Sequence, residues 1–429
     1  MGRKGFTTRQ VQGSGQTGAT PRATPIYLTA GFTFDEFGAA GAHFDTGEGY
    51  AYTRIGNPTI EAVESTIAGL EGGAGALLVA SGQAATSVAL MTLASAGDHV
   101  VVSNHIYEGT RGLLLDSLSR FGIDVSFVHD IHDPSAWEAA IRPETRVLFA
   151  ESISNATNRL LDVAEISAVA HAHGLPLVID NTFATPYLFR PIEHGADVVV
   201  HSASKFLAGH GAVIGGAIVD AATFDVTSPL FPQLTERDRS GTPSPAERAG
   251  AGARLAYARD SVGPRLGPTP SPLNAFLIGQ GIETLSLRVE RQSANALTVA
   301  RWLAAHDAVE SVDYVGLEGH ADHALAERLL PDGFGSVFTV TLRGGVAAAE
   351  SVIEAVRTFT HMTHLGDVRS LVLHPASTSH IHLSDTERAA LGVFPGTLRL
   401  SIGIEDADDL IDDLTEALAV IAARDDLLV

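Results

Sequence analysis

The chain has 429 residues, enough for two or three domains and a large buried core. Its formal charge, 28 − 50 = −22, disfavours nucleic acid, which needs a basic stripe, and an anionic membrane; its mean hydropathy is +0.16, and no uncharged apolar run approaches the ~20 residues that span a bilayer. It has no cysteine, which excludes a disulfide framework and a thiolate metal site; the first ten residues are charged without an apolar core, so no signal peptide is read and a cytoplasmic location is expected.

Residues 1–60 read as an extended, Gly- and Thr-rich arm. Within it, Gly13 to Gly18 fits G-x-G-x-x-G, but no strand precedes it and Pro21 follows, so a dinucleotide site is not expected. In Tyr50-Ala-Tyr-Thr-Arg-Ile-Gly-Asn-Pro, Asn57 reads as the N-cap and Pro58 as the first residue of a helix to about Leu70. Ala76–Ala80 reads as a strand. Ser81, Gly82 and Gln83 then turn into an apolar helix, whose free N–H groups and positive dipole end favour phosphate. His99–Ser103 is the next strand, with Tyr107 beyond it. Segments 124–128, 134–141, 147–150, 164–173 and 177–179 then alternate between strand and helix, which argues for a mainly parallel sheet with helices on both faces. Glu151 to Asn155 closes one of these strands. His171 and His173 stand two apart on a helix, where the rings diverge, so they read as surface histidines rather than a metal pair.

The most informative stretch starts where the apolar run Leu175–Ile179 ends in an acid, Asp180, with Asn181 and Thr182 following. Open α/β sheets bind ligands at this end of their strands. A second apolar run, 197–201, delivers Ser202, Ser204 and Lys205, and then Gly209-His-Gly-Ala-Val-Ile-Gly-Gly. An acid, two hydroxyls and one lysine at neighbouring strand ends can hold pyridoxal 5'-phosphate (PLP). Lysine forms the Schiff base, and the acid pairs with the ring nitrogen and keeps it protonated.

Asp-Asn-Thr-x-x-Thr-Pro followed by His-Ser-x-Ser-Lys resembles the PLP-dependent enzymes of cysteine and methionine metabolism, and the likeness runs from about Thr20 to the last helix. It implies a PLP-dependent transferase fold of type I: an α/β chain with a mainly parallel central sheet and a smaller C-terminal α/β domain. The expected boundaries are 1–60 for an arm that completes the neighbouring subunit's site, 61–275 for the PLP-binding domain and 276–429 for the C-terminal domain. A helix from Gly281 to about His306 is expected to join the last two. The segment 221–272, rich in Pro, Gly and Ser, resembles the longer inter-domain segment of the sulfhydrylase branch, with a disordered linker as the alternative for part of it.

The resemblance also assigns residues. Tyr52 and Arg54 grip the partner's PLP phosphate, as an Arg fork and a phenol suit phosphate oxygens. Ser81, Gly82, Gln83, Ser202 and Ser204 form the phosphate cup, and Thr182 joins the cofactor contacts. Tyr107 stacks on the pyridine ring. Asn155 touches the cofactor and the substrate carboxylate, Arg399 clamps that carboxylate, and Ser377 and Thr378 lie close by. Two departures stand out: Glu108 where the family has glycine, which bears on the local loop, and His364 where it has Ser or Asn. His364 is expected to alter the carboxylate anchor or act as a second cationic partner, with a satisfied structural histidine as the alternative.

The implied activity is γ-replacement on O-acetyl-L-homoserine by sulfide or methanethiol. Lys205 would be the base, Asp180 the partner of the ring and Tyr107 the aid to the leaving group. Methionine or cystathionine γ-lyase and cystathionine γ-synthase stay open, as does a catalytically silent PLP-binding paralogue. Expected partners are a small amino acid, sulfide or a thiol, and further copies of the chain in a homotetramer; no metal is expected.

Overall fold

The computed structural model describes residues 5–12, 21–155, 157–237 and 241–425. The glycine-rich motif at 13–18, Ala156, Asp238 and Arg239 lie outside them. Seven strands form the larger sheet: β1 (Gly75–Val79), β2 (His99–Ser103), β3 (Asp124–Val128), β4 (Thr145–Glu151), β5 (Leu177–Asp180), β6 (Val198–His201) and β7 (Gly216–Asp220). Their order is β1-β7-β6-β5-β4-β2-β3, and β7 alone runs against its neighbours.

Successive strand residues feed two different cores. Val101, Leu148, Ile179 and Val199 point into one; Val100, Val102, Val147, Phe149, Val178 and Val200 point into the other. Both faces are therefore covered, which is why these strands read as continuous apolar runs rather than alternating ones. Asn57 caps the helix Pro58–Glu71 by accepting the Thr59 N–H at 2.9 Å.

A second sheet, with order β10-β11-β12-β9-β8, comprises β8 (Val309–Asp313), β9 (Val337–Leu342), β10 (Thr360–His361), β11 (Leu371–Leu373) and β12 (Thr397–Ser401). Phe338, Val340, Leu398 and Leu400 bury its face against Ala296, Val299 and Leu410. The result is the expected α/β architecture, a large mostly parallel sheet with a smaller C-terminal one.

Three expectations change. The single helix from Gly281 to His306 is two, Pro272–Ile282 and Leu285–Ala304, parted at Glu283 and Thr284. Gly281, in the last turn of the first, passes so close to residue 208 that a Cβ there would stand 2.2 Å from the Ala208 carbonyl oxygen. The arm is not wholly extended. Helices cover Phe6–Gln12 and Phe37–Thr46, and the first is docked on its own chain through Phe6 against Tyr187 and a Gln10–Ser286 hydrogen bond of 2.9 Å. Finally, the described part of 221–272 is not a loose linker. It folds into short helical turns that bury Phe231, Leu234 and Ala253, and its buried Arg254 binds Asp220 at 2.7 Å. The loop carrying Glu108 is helical from Glu108 to Gly112 and continues through a π-turn, Leu113–Ser117, and a 3-10 turn, Leu118–Phe121.

Candidate active site

The carboxyl ends of β4, β5 and β6 open onto a cavity of about 810 Å³. Parallel pairing sets Glu151 beside Asp180 at the end of β4 and β5. One Asp180 oxygen accepts the Thr182 N–H at 2.9 Å and its hydroxyl at 2.5 Å. Burial pushes the Asp180 carboxyl up, while the two Thr182 bonds pull it back toward the ionised form. Thr182 Oγ1 also accepts the Ser202 N–H at 2.8 Å, which joins the ends of β5 and β6.

Across from Ser202 the helix Gly82–Leu93 begins. A Cβ at position 82 would lie 2.6 Å from the Ser202 Cβ, so only glycine permits this approach. Ser81 Oγ accepts the Ala84 N–H at 3.1 Å; the N–H groups of Gly82 and Gln83 lie outside the helix's own ladder and suit an anion. Gln83 donates its amide to Gly109 O at 2.7 Å. Ser204 lines the cavity, but its hydroxyl donates to Gly215 O at 3.1 Å and accepts Gly215 N–H at 3.0 Å. Its single proton is thus engaged with β7's approach rather than turned to a phosphate.

Lys205 Nζ stands 3.0 Å from His364 Nδ1. Burial, helped by the Arg399 charge, brings the lysine down to about 8. Burial and the Lys205 charge bring the imidazole down to about 4. At neutral pH His364 is therefore the acceptor and Lys205 the donor, and the expected second cation at 364 is absent. Arg399 is buried and lowered by desolvation to about 10, so it stays cationic. It donates to Asn155 Oδ1 at 3.1 Å and to His364 O at 3.3 Å, and among the described residues no carboxylate lies within ion-pair distance of it. The wall carrying His364 is tied to the lysine loop: Val368 N–H donates to Gly209 O at 2.9 Å and Gln292 holds Asp367 O at 2.8 Å.

Sequence reasoning overlooked Glu151. Its two oxygens accept the backbone N–H groups of Tyr107 at 2.6 Å and Asn155 at 2.9 Å, so one buried carboxylate orients both loops. Burial, then the nearby Asp180 charge, pushes it up to about 8. The signal was present, since Glu151 is an acid at a strand's carboxyl end as Asp180 is. Tyr107 itself is 48 % exposed at the cavity rim. Glu108 is partly shielded and pairs with Arg111 at 3.3 Å, a local contact rather than a cavity one.

Some expected site residues lie elsewhere. Arg54 donates to Pro264 O at 2.6 Å and stacks over the half-exposed Tyr52 ring, outside this chain's cavity. Ser377 is exposed and bound to the His374 ring at 2.8 Å, and Thr378 donates to His374 O; neither lines the cavity. His171 and His173 do diverge, toward Asp197 and Glu138.

The donor set fits PLP. A lysine that loses its proton near neutrality would suit the aldehyde, a buried acid the ring nitrogen, and a glycine cradle at a helix start the phosphate. Comparison with known proteins agrees. The chain is 42% identical to the O-acetyl-L-homoserine sulfhydrylase of Corynebacterium glutamicum, with 97% of each covered. It is 38% identical to the L-methionine gamma-lyase of Treponema denticola, with 96% of each covered. A crystal structure from Campylobacter jejuni, described as a putative O-acetylhomoserine (thiol)-lyase with N'-pyridoxyl-lysine-5'-monophosphate at its position 205, superposes with a TM-score of 0.93 at 34% identity, covering 96% of this chain and 99% of that one. With its residues 7–419 matched by the family's model, the chain belongs to the Cys/Met metabolism PLP-dependent enzymes.

Proposed function

We propose that the chain catalyses γ-replacement on O-acetyl-L-homoserine: sulfide or methanethiol displaces the acetoxy group, giving homocysteine or methionine and acetate. The observation that carries this reading is Arg399, a buried guanidinium without a counter-charge among the described residues, beside Asn155 and close to the Lys205 amine. A buried cation kept in that state invites an anionic group, and the α-carboxylate of an amino acid meets its planar fork. The relatives' sulfhydrylase activity supports O-acetylhomoserine as the amino acid.

Bound PLP supplies the electron sink for the pair of electrons left at Cα. On this reading the chain's residues do the rest. Arg399 and Asn155 orient the carboxylate. Lys205, low enough to deprotonate near neutral pH, takes the Cα proton and returns it. Asp180 would pair with the ring nitrogen, and Glu151 keeps Tyr107 at the rim, where its phenol assists departure of acetate. Ser81, Gly82, Gln83 and Ser202 would hold the cofactor's phosphate, and Thr182 steadies Asp180 and joins the ends of β5 and β6.

The same proposal takes 1–60 as an arm, 61–275 as the PLP-binding domain and 276–429 as the C-terminal domain. It takes the working form as a homotetramer in which Tyr52 and Arg54 complete a neighbour's cavity; their position outside their own chain's cavity supports this. Among the described residues no helix is long and apolar enough to cross a membrane, and the cytoplasm is the proposed location.

The test is product analysis of purified protein with O-acetylhomoserine, with and without sulfide or methanethiol, against methionine alone. Homocysteine or methionine formed only when both substrates are present supports γ-replacement. Fast release of 2-oxobutyrate from methionine without added sulfide would make the protein a γ-lyase. A normal visible cofactor spectrum with no product from either would make it a silent PLP-binding protein.

A further inference from the structure

The three strand ends that face the cavity have a second side. Side chains alternate along a strand, so each cavity residue has a neighbour pointing away. At β4 the neighbour of Glu151 is Ser152, at β5 that of Asp180 is Asn181, and at β6 that of Ser202 is His201. These three, joined by Glu71 from the end of the helix Pro58–Glu71, form one continuous network. Ser152 Oγ donates to Asn181 Oδ1 at 2.7 Å, Asn181 Nδ2 donates to Glu71 Oε1 at 2.9 Å, and His201 Nε2 meets the same Glu71 oxygen at 2.6 Å. Asn181 also donates to Phe189 O at 2.8 Å. All four are at most 1 % exposed.

A buried acid with two donors on one oxygen needs a reason. The other oxygen, Oε2, has no partner among the described residues, so the group is not tuned for stability alone. What the network does span is the lateral spacing of β4, β5 and β6, directly behind the residues that face the cofactor. The charged groups within its reach are Arg190 on one side and Asp180 on the other, and the His201 ring acts to favour the ionised form of Asp180.

We propose that Glu71, His201 and Asn181 are positioning residues for the cofactor: from behind the sheet they fix where the Asp180 carboxylate and the Ser202 hydroxyl stand. The inference rests on reading Asp180 and Ser202 as cofactor contacts. It requires that changes in a row that never touches the ligand alter how the ligand is held.

The experiment is reconstitution of cofactor-stripped protein with PLP, read by affinity and by the pH midpoint of the bound cofactor's visible absorbance, with melting temperature as the folding control. Wild type, Glu71→Gln, His201→Ala, His201→Gln, Ser152→Ala and Asp180→Asn are compared. Removing the buried acid's charge in Glu71→Gln, or a hydrogen bond to it in His201→Ala, should raise the Kd for PLP about tenfold or more. Both should also shift the absorbance midpoint. His201→Gln, which can still donate to Glu71, should recover most of the loss, and Ser152→Ala, the mildest change, should show a smaller shift of the same sign. A lowered melting temperature with wild-type affinity and midpoint in Glu71→Gln, His201→Ala and Ser152→Ala would overturn the inference while leaving Asp180's role intact, provided Asp180→Asn itself moves the midpoint. A wild-type spectrum in Asp180→Asn would overturn that role and this inference with it.

Discussion

The floor of the cavity and the wall facing it are built on opposite principles. On the floor, at the ends of β4 to β6, hydrogen bonds link the groups to one another: Asp180 to Thr182, Thr182 to Ser202, Ser204 to Gly215, Glu151 to two backbone N–H groups. On the wall, Arg399 carries a full charge with, among the described residues, only an amide oxygen and a carbonyl for company. A floor whose groups hold one another in place suits a resident cofactor that must sit in one pose. A wall left one anion short suits a substrate that comes and goes, because the missing charge arrives with each molecule and leaves with it.

The largest break in this contrast is on the floor. Lys205→Ala should abolish both turnover and the visible absorbance of bound cofactor, measured on the purified protein; normal rates would end the scheme. Next comes the wall. Arg399→Ala should raise KM for O-acetylhomoserine about a hundredfold, as loss of charge-assisted hydrogen bonds worth ~1.5–3 kcal/mol each implies, while PLP affinity changes little. Steady-state kinetics beside a PLP titration separates the two, and a large loss of PLP affinity would erase the distinction. Lysine should recover little of that loss, having no planar fork.

A sharper version uses pH. Lys205 is depressed to about 8, so its reactive neutral form grows as pH rises through 8 rather than through the ordinary lysine value. Capture of PLP by cofactor-free protein should therefore accelerate up to ~tenfold per pH unit below 8 and level off above it; a rise that continues past pH 10 would contradict the assigned environment. The smallest effect belongs to Ser204→Ala. Its hydroxyl already serves Gly215, so the expected change is about 1 kcal/mol of stability by thermal melting and less than a fivefold change in PLP affinity.

The floor was legible in the sequence because it is local. Asp180 and Lys205 lie 25 residues apart by their numbers, each shortly after an apolar run short enough to be a buried strand. Gly82 was legible for the same reason, as a turn between strand and helix. The wall was readable only in part. Arg399 was assigned by the family resemblance, but its closeness to Asn155, 244 positions away, comes from tertiary packing that brings β12 to the loop after β4. The role of His364 depended on protonation, which burial decides and residue type does not; hence the expected cation is an acceptor. Tyr52 and Arg54 were read as serving another subunit, and one chain's packing leaves them outside its own cavity. The break at Glu283 and Thr284 and the tight approach of Gly281 to Ala208 carry no local signal in the sequence.

The hydrogen bond between Val368 and Gly209 couples the arginine's wall to the loop that begins at the lysine. If Arg399 takes the carboxylate and Lys205 the α-carbon, that bond spaces the two like the jaws of a caliper, which would gauge the reach between them and ignore what hangs beyond it. On that reading β-amino acids, with one extra carbon in the reach, should fit poorly, while α-amino acids with longer or shorter tails would be sorted farther out, at the rim.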